Sequence, residues 1–442
     1  MVAMRKEAFP IQIYVVKRGD SLYQIANRYR TTVNEIVATN EIPNPNRLVV
    51  GQTIVIPIAG EFYEVRQGDT LASIGARFNI SPAELARINR IQVSAILPVG
   101  LLLYIPPRPK RNIETNAYIE PRGESVSPAL QQAAREASPY LTYLGAFSFQ
   151  AKRDGTLEEP PLNNLKEIAD RHRTTMMMIV TNLENEAFSD ELGRIILTDQ
   201  NVKNRLLDNI VAAARRYGFK DIHFDFEYLR PEDREAYNQF LRDARARFKQ
   251  EGWFISTALA PKTRADQPGQ WYEAHDYRAH GEIVDFVVLM TYEWGYSGGP
   301  PMAVSPIGPV RDVIEYALTE MPASKIVMGQ NLYGYDWTLP HTPGGQLARA
   351  ISPQRAIAIA SENNAAIQYD ETAQAPFFRY TDNAGKQHEV WFEDARSIQA
   401  KFDLIRELNL RGISYWKLGL SFPQNWLLIA DQFNVVKETF PS

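Results

Sequence analysis

The stretch KDIHFDFEYLRP, residues 220–231, sets His223, Asp225 and Glu227 at every second position, with Phe224 and Phe226 between them. On a strand, alternate side chains share a face, so the three ionisable groups project together, about 6.6 Å apart along it, and the two phenylalanines point the other way. Ionisable groups on an inward face are costly as mere packing. Crowding Asp225 against Glu227 raises the pKa of one of them, as happens when like charges share a site. A carboxyl kept protonated near neutral pH is what glycosidic cleavage asks of its acid. The plain alternative is a solvated strand end whose charges pair with nearby arginines.

Something must hold such a strand. From about residue 113 the chain alternates apolar runs with amphipathic stretches. The runs are IETNAYI (113–119), LTYLGAFSF (141–149), TTMMMIVTN (174–182), DIHFDFE (221–227), WFISTALA (253–260), VDFVVLMTY (284–292), KIVMGQNLYG (325–334) and GISYWKLG (412–419). Near-continuous apolar strands separated by helices imply a buried parallel sheet. Eight of them predict a (β/α)8 TIM barrel, with a doubly wound sheet as the alternative. In a barrel the chemistry sits at the C-terminal strand ends, where Asp225 and Glu227 fall. Residues 338–395 are too long for one helix and carry two alternating runs around DNAG, which predicts a small α+β insertion on the catalytic rim.

The first hundred residues are a different protein. YVVKRGDSLYQIANRYRTTVNEIVATN (14–40) lies over YEVRQGDTLASIGARFNISPAELARIN (63–89) at a constant offset. A fixed period signals a duplicated unit. Each copy reads as strand, helix, helix, strand, which places the units at 13–57 and 62–107 and the barrel at 108–442. Ser21 and Thr70 are placed to cap the first helices, and Thr32-x-x-Glu35 and Ser81-x-x-Glu84 fit capping boxes. PPRPKRNIETN (106–116) reads as a short stiff linker.

Composition narrows the function. Cysteine is absent, so thiol chemistry and disulfides are excluded. The net charge of −4 argues against a nucleic-acid partner. No run approaches the ~18 apolar residues of a membrane span, and the start of the chain lacks the apolar core of a secretory leader. GYSGG (295–299) matches G-x-S-x-G, but PPMAVSP follows it and no helix begins there. His275 and His280 are five apart, which does not put two ligands on one helix face. Neither a metal nor a cofactor is expected.

Three resemblances add to this reading. The repeats, with GD[ST]L turns, a central Asn and a closing I.IP, closely resemble LysM modules, which bind glycans containing N-acetylglucosamine. That resemblance assigns glycan contact to Gly19, Asp20, Ser21 and Leu22 and to Gly68, Asp69, Thr70 and Leu71. DIHFDFE resembles the DxxDxDxE signature of family 18 glycoside hydrolases, with Glu227 at the proton donor and Asp225 at its aspartate partner. It departs from the signature at His223 and Lys220, where aspartates are usual, and at Asp221, where glycine is. LMTYE (289–293), GQNLYGYDW (329–337, Asn331 replacing a usual proline) and GISYWKLG resemble the family's sixth, seventh and eighth strands. The resemblance implies catalysis by Glu227, Asp225 and Tyr292, and substrate contacts from Trp416, His223, Tyr118, Asn331, Tyr333 and Glu293. His223 is expected to hydrogen-bond behind Asp225. The implied mechanism is retaining and substrate-assisted, an exception to the two-carboxylate scheme.

Taken with GYDWTLP, AAIQYD and HEVWFEDARSI in the insertion, the whole chain resembles bacterial spore cortex-lytic N-acetylglucosaminidases. That implies cleavage of peptidoglycan after N-acetylglucosamine. It also implies residence in the spore coat or cortex region, with synthesis in the mother-cell cytoplasm. A chitinase-like hydrolase and a non-catalytic glycan-binding barrel are the alternatives.

Overall fold

The computed structural model describes residues 11–437 apart from 59 and 108. The start of the chain, on which the expectation of no leader partly rests, lies outside the described residues, as do both ends of the expected 108–442 segment.

The chain divides into two compact units. One takes residues up to Arg111 together with Pro423–Asn434, and the other takes Asn112–Phe422 with the remaining tail.

In the first unit both repeats adopt the expected strand–helix–helix–strand order. The first has strands Ile11–Val15 and Thr53–Pro57 paired antiparallel around helices Leu22–Tyr29 and Val33–Asn40. The second has strands Glu61–Glu64 and Leu102–Ile105 around helices Leu71–Phe78 and Pro82–Asn89. Ser21, Thr32 and Thr70 each form a reciprocal capping box. Ser81 makes only half of its expected box, because Glu84 turns instead to Arg87 at 2.7 Å.

The central asparagine of each repeat ties the second helix to the last strand. Asn40 donates to Ile36 O and Val55 O and accepts from Val55 N, and Asn89 does the same with Leu85 and Tyr104. The helix Pro423–Gln432 packs with this unit through Gln424, which donates to Asn40 Oδ1 at 3.0 Å and to Thr53 O at 2.9 Å. Asn40→Ala strips these partners from buried backbone groups, so it should cost this unit about 2–4 kcal/mol, read as a lower urea midpoint. A loss below ~0.5 kcal/mol would contradict the account.

The second unit is the barrel. Its strands, in order, are Arg111–Ile119, Tyr143–Ala151, Thr175–Thr181, Asp221–Asp225, Phe254–Leu259, Phe286–Leu289, Ile326–Asn331 and Gly412–Trp416. Each pairs in parallel with the next, and the eighth pairs with the first, which closes the ring. The first strand begins at Arg111, inside the segment expected as linker. Tyr143, Met177, Ile179, Phe286 and Val288 belong to one buried cluster, so the interior is a packed core. Phe224 and Phe226 face outward onto Phe240 of helix Arg234–Phe248, at ring separations of 5.0 and 5.6 Å. That leaves His223 and Asp225 pointing inward, the division the alternation predicts.

The insertion is an antiparallel five-stranded sheet carrying helix Pro353–Glu362. It begins at Gly334, four residues before the expected boundary, since GYDWT forms its own strand instead of extending the seventh barrel strand. Gly334 is required there, because a Cβ would lie 2.3 Å from Trp391 O.

Candidate active site

The mouth of the barrel holds a cavity of about 380 Å³ whose lining includes Asp225, Glu227, Tyr118, Tyr292, Glu293, Tyr333 and Trp416. Seven of the nine barrel residues singled out in the sequence therefore meet in one place. The other two, His223 and Asn331, do not line it.

Glu227 is fixed at both its backbone and its side chain. Asn182, just past the end of the third strand, accepts from Glu227 N at 3.0 Å and donates to Glu227 O at 2.9 Å. Trp271 Nε1 donates to Glu227 Oε2 at 2.6 Å. Burial and the charge of Asp225 hold the Glu227 carboxyl well above the usual carboxylate range, and the Trp271 bond opposes them. Burial also raises Asp225, whose Oδ1 is buried with no hydrogen-bond partner. Burial and mutual repulsion thus favour one shared proton on this carboxyl pair.

Tyr292 follows the sixth strand, where Gly329 makes room for it; a Cβ on Gly329 would lie 3.0 Å from the Tyr292 ring. Glu293 accepts hydrogen bonds from Tyr333 and Tyr335, while burial raises its carboxyl. Tyr228 and Glu293, each next to a residue of the pair or to Tyr292, have left-handed backbones at φ 54° and 69°. Non-glycine residues are held there only when their surroundings over-determine them, which is common at functional sites.

His223 corrects an expectation. It makes no hydrogen bond to Asp225. Its Nδ1 lies 2.8 Å from Ser256 Oγ and its Nε2 lies 3.0 Å from the Tyr118 hydroxyl. Ser256 Oγ also lies 3.1 Å from both carboxyl oxygens of Asp221, so His223 is held between the Tyr118 hydroxyl and the Ser256–Asp221 pair. Burial lowers His223 to about 3 and raises Asp221 to about 8. Burial thus favours the neutral imidazole at His223.

Asp221 carries a stability prediction. A carboxyl raised from 3.8 to about 8 contributes stability below the lower value, and that contribution is lost as pH rises through the higher one. Asp221→Asn removes this loss, so its urea midpoint should gain on the parent progressively from pH 4 to 8. A pH-independent difference would refute the burial account.

Asn331 is equally committed elsewhere. It accepts from Ser305 at 2.7 Å and donates to Tyr333 O at 2.7 Å. In the first unit, Asp20 accepts from Tyr14 and Lys17 N, and Asp69 accepts from Tyr63 and Arg66 N. Ser21 and Thr70 cap helices, Leu22 and Leu71 are buried in the module cores, and Gly19 and Gly68 turn the chain at φ 89° and 85°. These eight residues build the turns. Beside the second turn, Arg66, Gln67 and Val99 help line a cavity of about 520 Å³.

Trp271, Tyr335 and Phe147 line the barrel cavity without having been anticipated. The only available sign of Trp271 was an aromatic pair, WY, in the loop after the fifth strand. Among the described residues no cluster of three or more His, Asp or Glu is arranged to hold a metal, and no helix is long and apolar enough to cross a membrane.

Comparison with known proteins identifies the family. The family described as Glycosyl hydrolases family 18 matches residues 123–420, and the LysM domain matches residues 14–57 and 63–106. A cortical fragment-lytic enzyme of Bacillus subtilis (strain 168) is 80% identical over 430 residues, covering 97% of this chain and 100% of the relative. One from Bacillus cereus is 54% identical over 429 residues, covering 97% of this chain and 100% of the relative. The crystal structure of the Bacillus megaterium spore cortex-lytic enzyme SleL superposes with a TM-score of 0.89 at 56% identity, covering 97% of this chain and 99% of that one. With a closed eight-stranded barrel and a buried carboxyl pair at its mouth, the chain belongs to family 18 of the glycosyl hydrolases and carries two LysM domains.

Proposed function

We propose that this glycoside hydrolase cleaves spore-cortex peptidoglycan at the β-1,4 bond after N-acetylglucosamine, with retention and with help from the substrate. The observation that carries the reading is the Asp225–Glu227 pair, buried and sharing one cavity with Trp416 and Tyr292. Trp416 offers an apolar floor for the sugar. Glu227, held protonated, gives its proton to the glycosidic oxygen as the C1–O bond breaks. The carbonyl oxygen of the sugar's own 2-acetamido group attacks C1 and forms an oxazolinium, with Asp225 and Tyr292 orienting that group and stabilising its charge. Glu227, now a carboxylate, takes a proton from water as the water opens the ring. The nucleophile comes from the substrate, so no second carboxylate has to attack carbon.

The cortex is the substrate we infer because the relatives named above are cortical fragment-lytic and spore cortex-lytic enzymes. On this reading the protein works at the spore coat or cortex after synthesis in the mother cell, and the LysM units hold it to N-acetylglucosamine-containing glycan.

Mass spectrometry of products from purified cortex fragments and from chitin oligomers tests the reading. Cortex products ending in reducing N-acetylglucosamine are expected. Turnover of chitin alone would make it a chitinase-like enzyme, and no new reducing ends from any acetylated glycan would leave only glycan binding.

A further inference from the structure

One loop grips the acid-bearing segment at three successive residues. The loop runs from the fifth strand, Phe254–Leu259, to helix Tyr277–Ile283. His275 Nε2 meets Phe226 O at 2.9 Å, Trp271 Nε1 donates to Glu227 Oε2 at 2.6 Å, and Gln270 Nε2 donates to Tyr228 O at 2.9 Å. His275 is itself anchored, accepting from Ala260 N at 2.9 Å, so its Nε2 carries the hydrogen and donates. The exposed ring of Tyr228 lies nearly parallel to Trp271, 6.2 Å away at 14°.

Position adds to this. In a ring of eight strands the eighth, ending in Trp416, lies across the mouth from the fourth, while the loop after the fifth stands beside Glu227. Trp416, Glu227 and Trp271 line one cavity, and Tyr228 stacks against Trp271.

We propose that this loop is a positioning element in which Trp271 holds Oε2 so that Oε1 delivers the proton. The proposal rests on Glu227 being the acid. Oε2 already accepts a short hydrogen bond from the indole, so the proton of the neutral acid sits on Oε1. A hydrogen bond to a carboxylate favours the charged form, so the indole sets how readily Glu227 gives up its proton. The other titratable groups facing this carboxyl are Asp225 on its own segment, Tyr292 on the sixth strand's end and Tyr228. None of them donates a hydrogen bond to Oε2.

Two variants of the full-length protein test this, each followed by carboxyl-carbon NMR titration of labelled glutamate and by pH-dependent kinetics on cortex fragments. Trp271→Phe keeps a ring and removes the donor. It should raise the Glu227 titration midpoint, and with it the alkaline limb of kcat/KM, by about one pH unit, the equivalent of one charge-assisted hydrogen bond. Tyr228→Ala removes the stacked ring but keeps the indole donor, so it should move the midpoint by less than half as much. An unchanged midpoint in Trp271→Phe, or an equal shift in Tyr228→Ala, overturns the positioning role. The titration needs no turnover. If Glu227→Gln stays active the acid assignment fails, yet the midpoint still reports whether Trp271 acts on Glu227.

Discussion

Glu227→Gln is expected to lower kcat on cortex fragments by about three orders of magnitude or more while leaving glycan binding within a few-fold of the parent. The size follows from the two proton transfers assigned to this residue. General acid–base catalysis contributes about 10²–10⁴ in rate for a positioned group, and here the same carboxyl serves bond cleavage and then water attack. The amide keeps the shape and can still accept from Trp271 Nε1, the contact that fixes Oε2. It cannot donate a proton of useful acidity. Binding should survive because the cavity walls, Trp416 and Tyr292 among them, are untouched.

Folding should not suffer either. Glu227 is buried with a raised pKa, so its contribution to stability is lost as pH rises, and a neutral amide is spared that loss at pH 7. Rapid-quench kinetics with equilibrium binding and thermal melting separate these effects. A rate within tenfold of the parent would remove Glu227 from the chemistry, and a collapsed melting curve would make the loss structural.

Much of this site was legible because it obeys a period. The alternation of His223, Phe224, Asp225 and Phe226 needed only the two-residue repeat of a strand, and the eight apolar runs needed only their order. The offset between Asn40 and Asn89 likewise exposed the repeats before any contact was known. Sequence was silent where a partner comes from elsewhere in the fold. His223 meets Ser256 because the register sets those two residues side by side on neighbouring strands, and nothing in DIHFDFE carries that register. Asn331 was read as a substrate contact from the motif around it, yet Ser305 and Glu393 surround its amide with acceptors and donors from two other segments. Trp271 lies in a loop without periodicity, 44 residues from the carboxyl it holds. The pairing of Gln424 with Thr53 spans 371 residues, so the last helix could not be assigned to the first unit by pattern alone.

Asp225→Asn is the second large effect, and it should leave two marks at once. Under the proposed mechanism Asp225 stabilises charge that develops on the acetamido group only in the transition state. Losing one such preorganised partner costs about 10²–10³ in kcat. The second mark is electrostatic. The Asp225 charge helps raise Glu227, so removing it lets Glu227 ionise at lower pH. The alkaline limb of the pH–rate profile should therefore move down, opposite in sign to the shift expected for Trp271→Phe.

The variant should also fold at least as well as the parent at pH 7. Asp225 is buried, its Oδ1 lacks a partner, and its raised pKa marks a group whose stabilising contribution is lost as pH rises. A merely structural role for Asp225 would lower the melting temperature and leave the limb where it was. A downward limb with an unchanged or higher melting temperature ties the rate loss to the charge itself.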